Sequence, residues 1–471
     1  MNFCNVKIRY KGRNLLTIDK KMLIKQHKKD LSFAINNSLS NAIIDNLARD
    51  AGFTKRNRKV PASCFVNTLL FSEYDQACTS LPDLTCDLKQ VYGIEVSKEA
   101  IHKKFTPEAV VFLKKVLNNL LSEQLQMNTG KGLPQHFPRI KIKDSTKFAL
   151  PDCYNDAYKG YTNFSKKNGL MCLQYEYDLL SGSWLSIEMT KGLRNDQQDS
   201  KETTSSITAG DLHIRDLGYI TPTYLSAIIE KKAFFLNRLP AMAGVYTTAK
   251  KPLDWKSINS KLKRTSSDFM ELDVLVFERN QIPCRLILER VSSNEYNRRL
   301  EKAKASAKSQ GVGISKLHKT KLQYNAFITN ASPSILPVTE IRKTYYLRWQ
   351  IELIFKTWKS FFRINKIKKV RKERMECQLM AKLIWILLNW QLFKTCNNHV
   401  RKINASQGVS VLVFFKRCLK FSRTLRLVLL KRLSLLKWLK HMYIPIIEDC
   451  LCEAPRKKQT HYHTLAINNK P

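Results

Sequence analysis

Three carboxylates, Asp144, Asp216 and Glu352, stand where they could serve one reaction together. Asp144 closes an alternating run, Arg139-Ile-Lys-Ile-Lys-Asp144, and Asp216 closes another, Asp211-Leu-His-Ile-Arg-Asp216. Both runs read as strands. Glu352 lies in YYLRWQIELIFKTWK, residues 345–359, whose apolar residues recur at helical spacing. Two neighbouring strands and a helix crossing beside them could unite residues 72 (216 − 144) and 136 (352 − 216) positions apart. Three ionised carboxylates about 4 Å apart repel by roughly 4 kcal/mol per pair at an effective dielectric of about 20. Such a cluster holds only if protonated or filled by cations, and hard oxygen donors select Mg²⁺ or Mn²⁺. Two ions about 4 Å apart would support in-line attack on a phosphodiester. Each residue also has a plainer local reading. Asp144 suits a strand end, Asp216 a helix N-cap, and Glu352 an i±4 partner of Arg348 and Lys356 on a solvated face.

The elements that would position these residues follow from the chain's texture. Residues 1–130 read as helical, with apolar residues at helical spacing in 32–51, 62–71 and 107–126. Residues 54–59 are a basic run, and 96–105, behind Gly93 and the capping Ser97, resemble the second helix of a helix-turn-helix. An ordinary helical bundle fits that region equally. Gly130, Gly132, Pro134 and Pro138 mark a boundary. Beyond it come strands at 139–144, 170–180 and 184–190, a strand at 211–216, a helix at 220–231 and a strand at 233–238. Three antiparallel strands followed by βαβ is the order of an RNase H-like sheet. Residues 246–335 interpose strand-like runs at 272–278, 285–289 and 324–329 around a basic helix, which reads as a β-rich insertion. Residues 341–393 return to helix, and 405–445 form basic amphipathic helices. The fold class is therefore α/β (α+β). Its divisions are 1–130, helical and DNA-binding; 131–245 and 336–395, the two parts of the catalytic core; 246–335, the insertion; and 396–471, a C-terminal basic helical region.

Composition narrows the partners. Lys and Arg number 81 against 39 Asp and Glu, a formal net charge of +42 over 471 residues. A charge of that size repels itself unless it meets a polyanion, with nucleic acid the first candidate and an anionic membrane the second. Residues 379–393, LMAKLIWILLNWQLF, are too short and too interrupted for a membrane span, and the polar N-terminus does not suit a secretion signal, so an intracellular protein is expected. The twelve cysteines are scattered without a C-x-x-C pair and read as small core residues. Cys450, Cys452, His461 and His463 offer four zinc ligands at spacings that fit zinc modules poorly.

On a helix, Tyr345, Arg348, Glu352 and Lys359 fall within about 60° of arc, opposite the apolar face. Their spacing, Y-(2)-R-(3)-E-(6)-K, resembles the signature of the insertion sequence 4 family of DDE transposases. Asp144-Ser-Thr146 is similar to that family's first acidic motif and Asp216-Leu-Gly-Tyr219 to its second, with Arg238 where the family carries a basic residue. The resemblance covers about residues 35–395. It implies an RNase H-like catalytic domain in which Asp144, Asp216 and Glu352 are catalytic and hold two Mg²⁺ or Mn²⁺ ions. It implies that Tyr345, Arg348 and Lys359 contact phosphates at the transposon end, with Arg238 a further DNA contact. It also implies double-stranded DNA as partner, a homodimer in the synaptic complex, and a bacterial, nucleoid-associated location without a membrane. Cut-and-paste transposition is the expected function, and a transposase-derived DNA-binding protein without catalysis is the alternative. Relatives stack a flipped base on an insertion tryptophan. Trp255 is the candidate here, with burial in the insertion's own core as its competing role.

Overall fold

The computed structural model describes residues 6–10, 13–18, 39–56, 58–71, 79–122, 136–163, 166–240, 243–264, 269–403, 408–440 and 450. Its centre is one ten-stranded sheet with helices on both faces. The strands are β1 (Val6–Tyr10), β2 (Arg13–Ile18), β3 (Ile140–Ala149), β4 (Lys159–Asn163), β5 (Lys166–Asp178), β6 (Trp184–Lys191), β7 (Leu212–Arg215), β8 (Phe234–Arg238), β9 (Val245–Thr247), β10 (Phe269–Val276), β11 (Ile282–Arg290) and β12 (Tyr324–Thr329). The order β6-β5-β3-β7-β8 places three antiparallel strands beside two parallel ones. This mixed α/β arrangement is consistent with the RNase H-like sheet expected from the sequence. From β8 the same sheet continues through β12, β11, β10 and β9, all antiparallel. The strands of residues 246–335 thus extend the central sheet.

Alternation sorts the residues of the sheet onto two faces. On β3 and β7, Ile140, Ile142, Leu212 and Ile214 join the larger hydrophobic core, while Lys141, Lys143, His213 and Arg215 face the other way and are also buried. The helix Trp349–Ser360 covers the apolar face with Ile351, Ile354, Phe355 and Trp358. There Tyr175 of β5 sits 5.0 Å from Trp358 and 5.2 Å from Trp184, ring centre to ring centre. The long helix Lys372–Ile403 ties this core to the N-terminal helices Asn41–Asp50, Ala62–Phe71, Leu81–Tyr92 and Pro107–Ser122, so those helices share the core of the central sheet. A second core lies on the opposite face, between the helices Pro222–Glu230 and Trp255–Arg264 and the strands β10–β12.

Several elements differ from the sequence expectation. Val6–Tyr10 and Arg13–Ile18 pair as antiparallel strands where helix was expected; Val6, Ile8 and Tyr10 alternate at period two. The predicted recognition-type helix shrinks to Lys98–His102, capped by Ser97 and preceded by Gly93 at φ 67°. β3 runs past Asp144 to Ala149, because β5 pairs with it as far as Leu170. Trp255 is 6% exposed within the second core, with the Lys321 ammonium 5.1 Å from its ring centre, so it is not an open stacking platform. Of the four suggested zinc ligands, Cys452, His461 and His463 lie outside the described residues; Cys450 is buried and its carbonyl accepts from the Ser410 N–H. No described helix is long and apolar enough to cross a membrane.

Candidate active site

The parallel pairing of β3 and β7 ends at Lys143 and Arg215, so Asp144 and Asp216 are the next residues on two adjacent strands. By alternation both fall on the face covered by Trp349–Ser360. Asp216 makes no side-chain cap to the turn Leu217–Tyr219 that follows it, and its side chain is 48% exposed. Its competing role as an N-cap is therefore not the one it plays. Glu352 lies in the first turn of Trp349–Ser360.

Arg348 joins the three. Its guanidinium is 3.0 Å from Asp144 Oδ2, 2.7 Å from Glu352 Oε1 and 3.8 Å from Asp216 Oδ1. The Arg348–Glu352 pair is the i,i+4 contact of the plainer reading, yet the same guanidinium also reaches carboxylates on two strands, which a solvated helix face would not do. Asp144 also accepts from the Ser145 N–H at 2.8 Å. Burial dominates its titration: the carboxyl is pushed up to about 7, with Asp216 and Glu352 adding to the rise, while Arg348 and the Ser145 N–H oppose it.

The remaining sequence candidates are spread around this cluster. Residues 345–359 are not one continuous helix: Val338–Tyr346 and Trp349–Ser360 meet at Leu347 and Arg348, where tight i→i−3 bonds replace i→i−4 ones. That joint turns Tyr345 inward. It is buried, its hydroxyl makes no geometrically sound hydrogen bond among the described residues, and burial pushes the phenol up to about 12 against the pull of Arg348 and Arg238. Arg238 ends β8. Lys359 donates to the Lys147 carbonyl of β3 at 2.9 Å, which pins the far end of the helix to the strand carrying Asp144; burial lowers its ammonium.

Beneath the strand ends, on the opposite face, lies a buried charged layer that sequence reasoning does not single out. Lys143 pairs with Asp199, and Arg215 donates to Glu176 at 3.1 Å while its guanidinium stacks 4.1 Å from the Tyr224 ring centre. The signal is present in the polar halves of the alternating runs, but alternation alone marks such residues as solvent-facing. Buried charges of this kind hold only when paired, and the partners come from β5 and from the helix Asp196–Glu202.

Three hard carboxylates converging on one cation from two strands and a helix form a donor set that suits divalent metal. The Arg348 guanidinium lies between them, and no group of three such ligands among the described residues closes around a single point. In chemistry the residues fit; in geometry Arg348 holds the place between them.

Two adjacent strands, each carrying an aspartate just beyond their mutual pairing, and a glutamate on the covering helix bring three carboxylates to one place. The chain belongs to the DDE transposase family: the family described as Transposase DDE domain matches residues 135–388, a span containing all three carboxylates. It is similar to the transposase for insertion sequence element IS231F of Bacillus thuringiensis subsp. israelensis, 31% identical over 73% of this chain and 76% of that one. It is similar also to the IS231C transposase of Bacillus thuringiensis subsp. berliner, 27% identical over 85% and 89%, and to the IS1151 transposase of Clostridium perfringens, 26% over 80% and 84%. These relatives agree with the insertion sequence 4 resemblance of the motifs.

Proposed function

We propose that this protein binds the terminal inverted repeats of its own element, cleaves at their ends and joins the freed 3′-hydroxyls to target DNA. The observation that carries this reading is the convergence of Asp144, Asp216 and Glu352 on Arg348 at 2.7–3.8 Å. Asp144, Asp216 and Glu352 would hold two Mg²⁺ or Mn²⁺ ions. Bound there, the ions would supply activation of the attacking hydroxyl or water and charge stabilisation at the departing oxygen. The chain's own residues supply the rest. Burial around Asp144 keeps bulk water from one side of the cluster. Tyr345, whose buried hydroxyl makes no hydrogen bond among the described residues, would offer a donor to a phosphate once DNA binding uncovers it. Arg348 and Arg238 offer guanidinium forks, Lys359 a point charge. The net charge of +42 provides the long-range attraction for double-stranded DNA. Two ends must be cut together, so a homodimer is expected on DNA.

The test is a gel-shift and joining assay. Labelled DNA carrying the element's own flanks is mixed with the protein, Mg²⁺ and a target plasmid. Binding that survives competitor DNA, with labelled 3′ ends covalently joined to the plasmid, is the expected result. End-specific binding without joined product under any divalent ion would favour a DNA-binding protein that has lost catalysis.

A further inference from the structure

The β3–β7 ladder stops at Lys143 and Arg215, one residue short of both aspartates. Asp144 is still held by its pairing with Tyr175 of β5, but direct pairing between β3 and β7 does not reach the two aspartates. Asp196, which opens the helix Asp196–Glu202, lies across this gap. Its Oδ1 accepts from Ser145 Oγ at 3.0 Å, next in sequence to Asp144, and lies 3.4 Å from Gln174 Nε2 on β5. Its Oδ2 lies against Gly218, two residues after Asp216, so closely that a Cβ there would stand only 2.9 Å away. Gln174 in turn accepts from the buried Tyr219 hydroxyl at 2.6 Å, closing a loop of contacts from β3 through β5 to the turn after β7.

We propose that Asp196 is a positioning residue that sets the spacing of Asp144 and Asp216, resting on the catalytic reading above. Ser145 and Gln174 are neutral donors, so Asp196 acts here as an acceptor. An asparagine, which keeps an acceptor oxygen in the same place, should serve nearly as well, whereas a metal ligand or a required negative charge would not survive that change.

The experiment compares Asp196→Ala, Asp196→Asn, Ser145→Ala and the double variant Asp196→Ala/Ser145→Ala in the full chain. Mn²⁺ affinity is read by electron paramagnetic resonance without DNA, and cleavage and end binding are read on element-end DNA. Asp196→Ala should weaken Mn²⁺ binding and slow cleavage by about 10–100-fold, the range for outer-shell partners of metal ligands, with end binding within about threefold of wild type. Asp196→Asn should restore both to within about threefold, and the double variant should be no worse than Asp196→Ala. Wild-type behaviour of Asp196→Ala, or an asparagine as damaging as alanine, would overturn the proposal. Should Asp196→Ala not fold, Ser145→Ala decides: it must show a smaller loss of the same kind, and no loss overturns the proposal. If wild type itself cleaves nothing, the catalytic reading fails while the Mn²⁺ measurements still judge Asp196.

Discussion

Replacing Arg348 with alanine removes a cation that touches all three carboxylates, and its effect on metal affinity follows from the distances. A divalent ion about 4 Å from the guanidinium would be repelled by about 8 kcal/mol at an effective dielectric of 20 and about 2 kcal/mol in water. Arg348 must therefore withdraw before the carboxylates can close on an ion. Withdrawal breaks the contacts at 3.0 Å to Asp144 and 2.7 Å to Glu352. Charge-assisted bonds of this kind contribute about 1.5–3 kcal/mol each. Water returns part of that, since the Glu352 side chain is 34% exposed and that of Asp216 48%. A net cost of about 1.5–3 kcal/mol makes wild-type metal binding roughly ten- to hundredfold weaker than in Arg348→Ala. Mn²⁺ titration of the DNA-free protein by calorimetry at pH 8 measures this directly, with Glu352→Gln showing that the ion sits in this site. Unchanged or weaker Mn²⁺ binding by Arg348→Ala would refute the reasoning. Cleavage by the variant should nonetheless fall, since Arg348 is also proposed to contact a phosphate.

Other expectations concern titration and the buried Tyr345 hydroxyl. With its carboxyl raised to about 7, Asp144 keeps its proton in the folded protein from its ordinary value near 3.8 up to that point. In chelator, its contribution to stability is therefore present in acid and lost as pH rises through 7. Metal must displace that proton, so Mn²⁺ affinity should climb by up to about tenfold from pH 6 to 7 and then level; a flat profile contradicts it. Lys394, buried and donating to Ser183 Oγ at 3.0 Å, is pushed down to about 7 by burial. Its cost to stability is full below 7 and fades as pH rises toward the ordinary lysine value of 10.5, so Lys394→Met should raise the melting temperature at pH 6 and much less at pH 10. An equal change at both values would refute the assignment. Tyr345→Phe deletes a buried hydroxyl that makes no hydrogen bond among the described residues, and should leave the melting temperature unchanged or higher while reducing cleavage at the ends. Loss of stability would show that the hydroxyl is used within the fold.

The sheet is legible in the sequence because period-two alternation survives even where both faces are buried. The runs 139–144, 211–216 and 324–329 each lie on an observed strand, and the first two lead to the aspartates. Strand length is not legible, since β3 extends to Ala149 only because β5 lies alongside it. The signature segment reads as one cylinder, and a joint of two residues is enough to bury Tyr345 and aim Arg348 at the carboxylates. Nothing local announces that joint. Asp196 escapes sequence reasoning for a related cause: the structure shows it opening a helix capped by Asn195, and its proximity to Ser145 and Gly218 exists only once three distant segments are folded together. Lys143 and Arg215 escape it because a charged residue on an alternating run implies solvent unless its partners are known.

The most direct test of the central claim is cleavage of a plasmid carrying the gene's own flanking DNA, incubated with Mg²⁺ and either wild type or Glu352→Gln, after gel shift has shown that both bind the ends. Strand breaks mapping to the repeat ends with wild type, and none with Glu352→Gln, is the predicted result. Equal cleavage by the two proteins would remove Glu352 from the site and contradict the account of three carboxylates acting together.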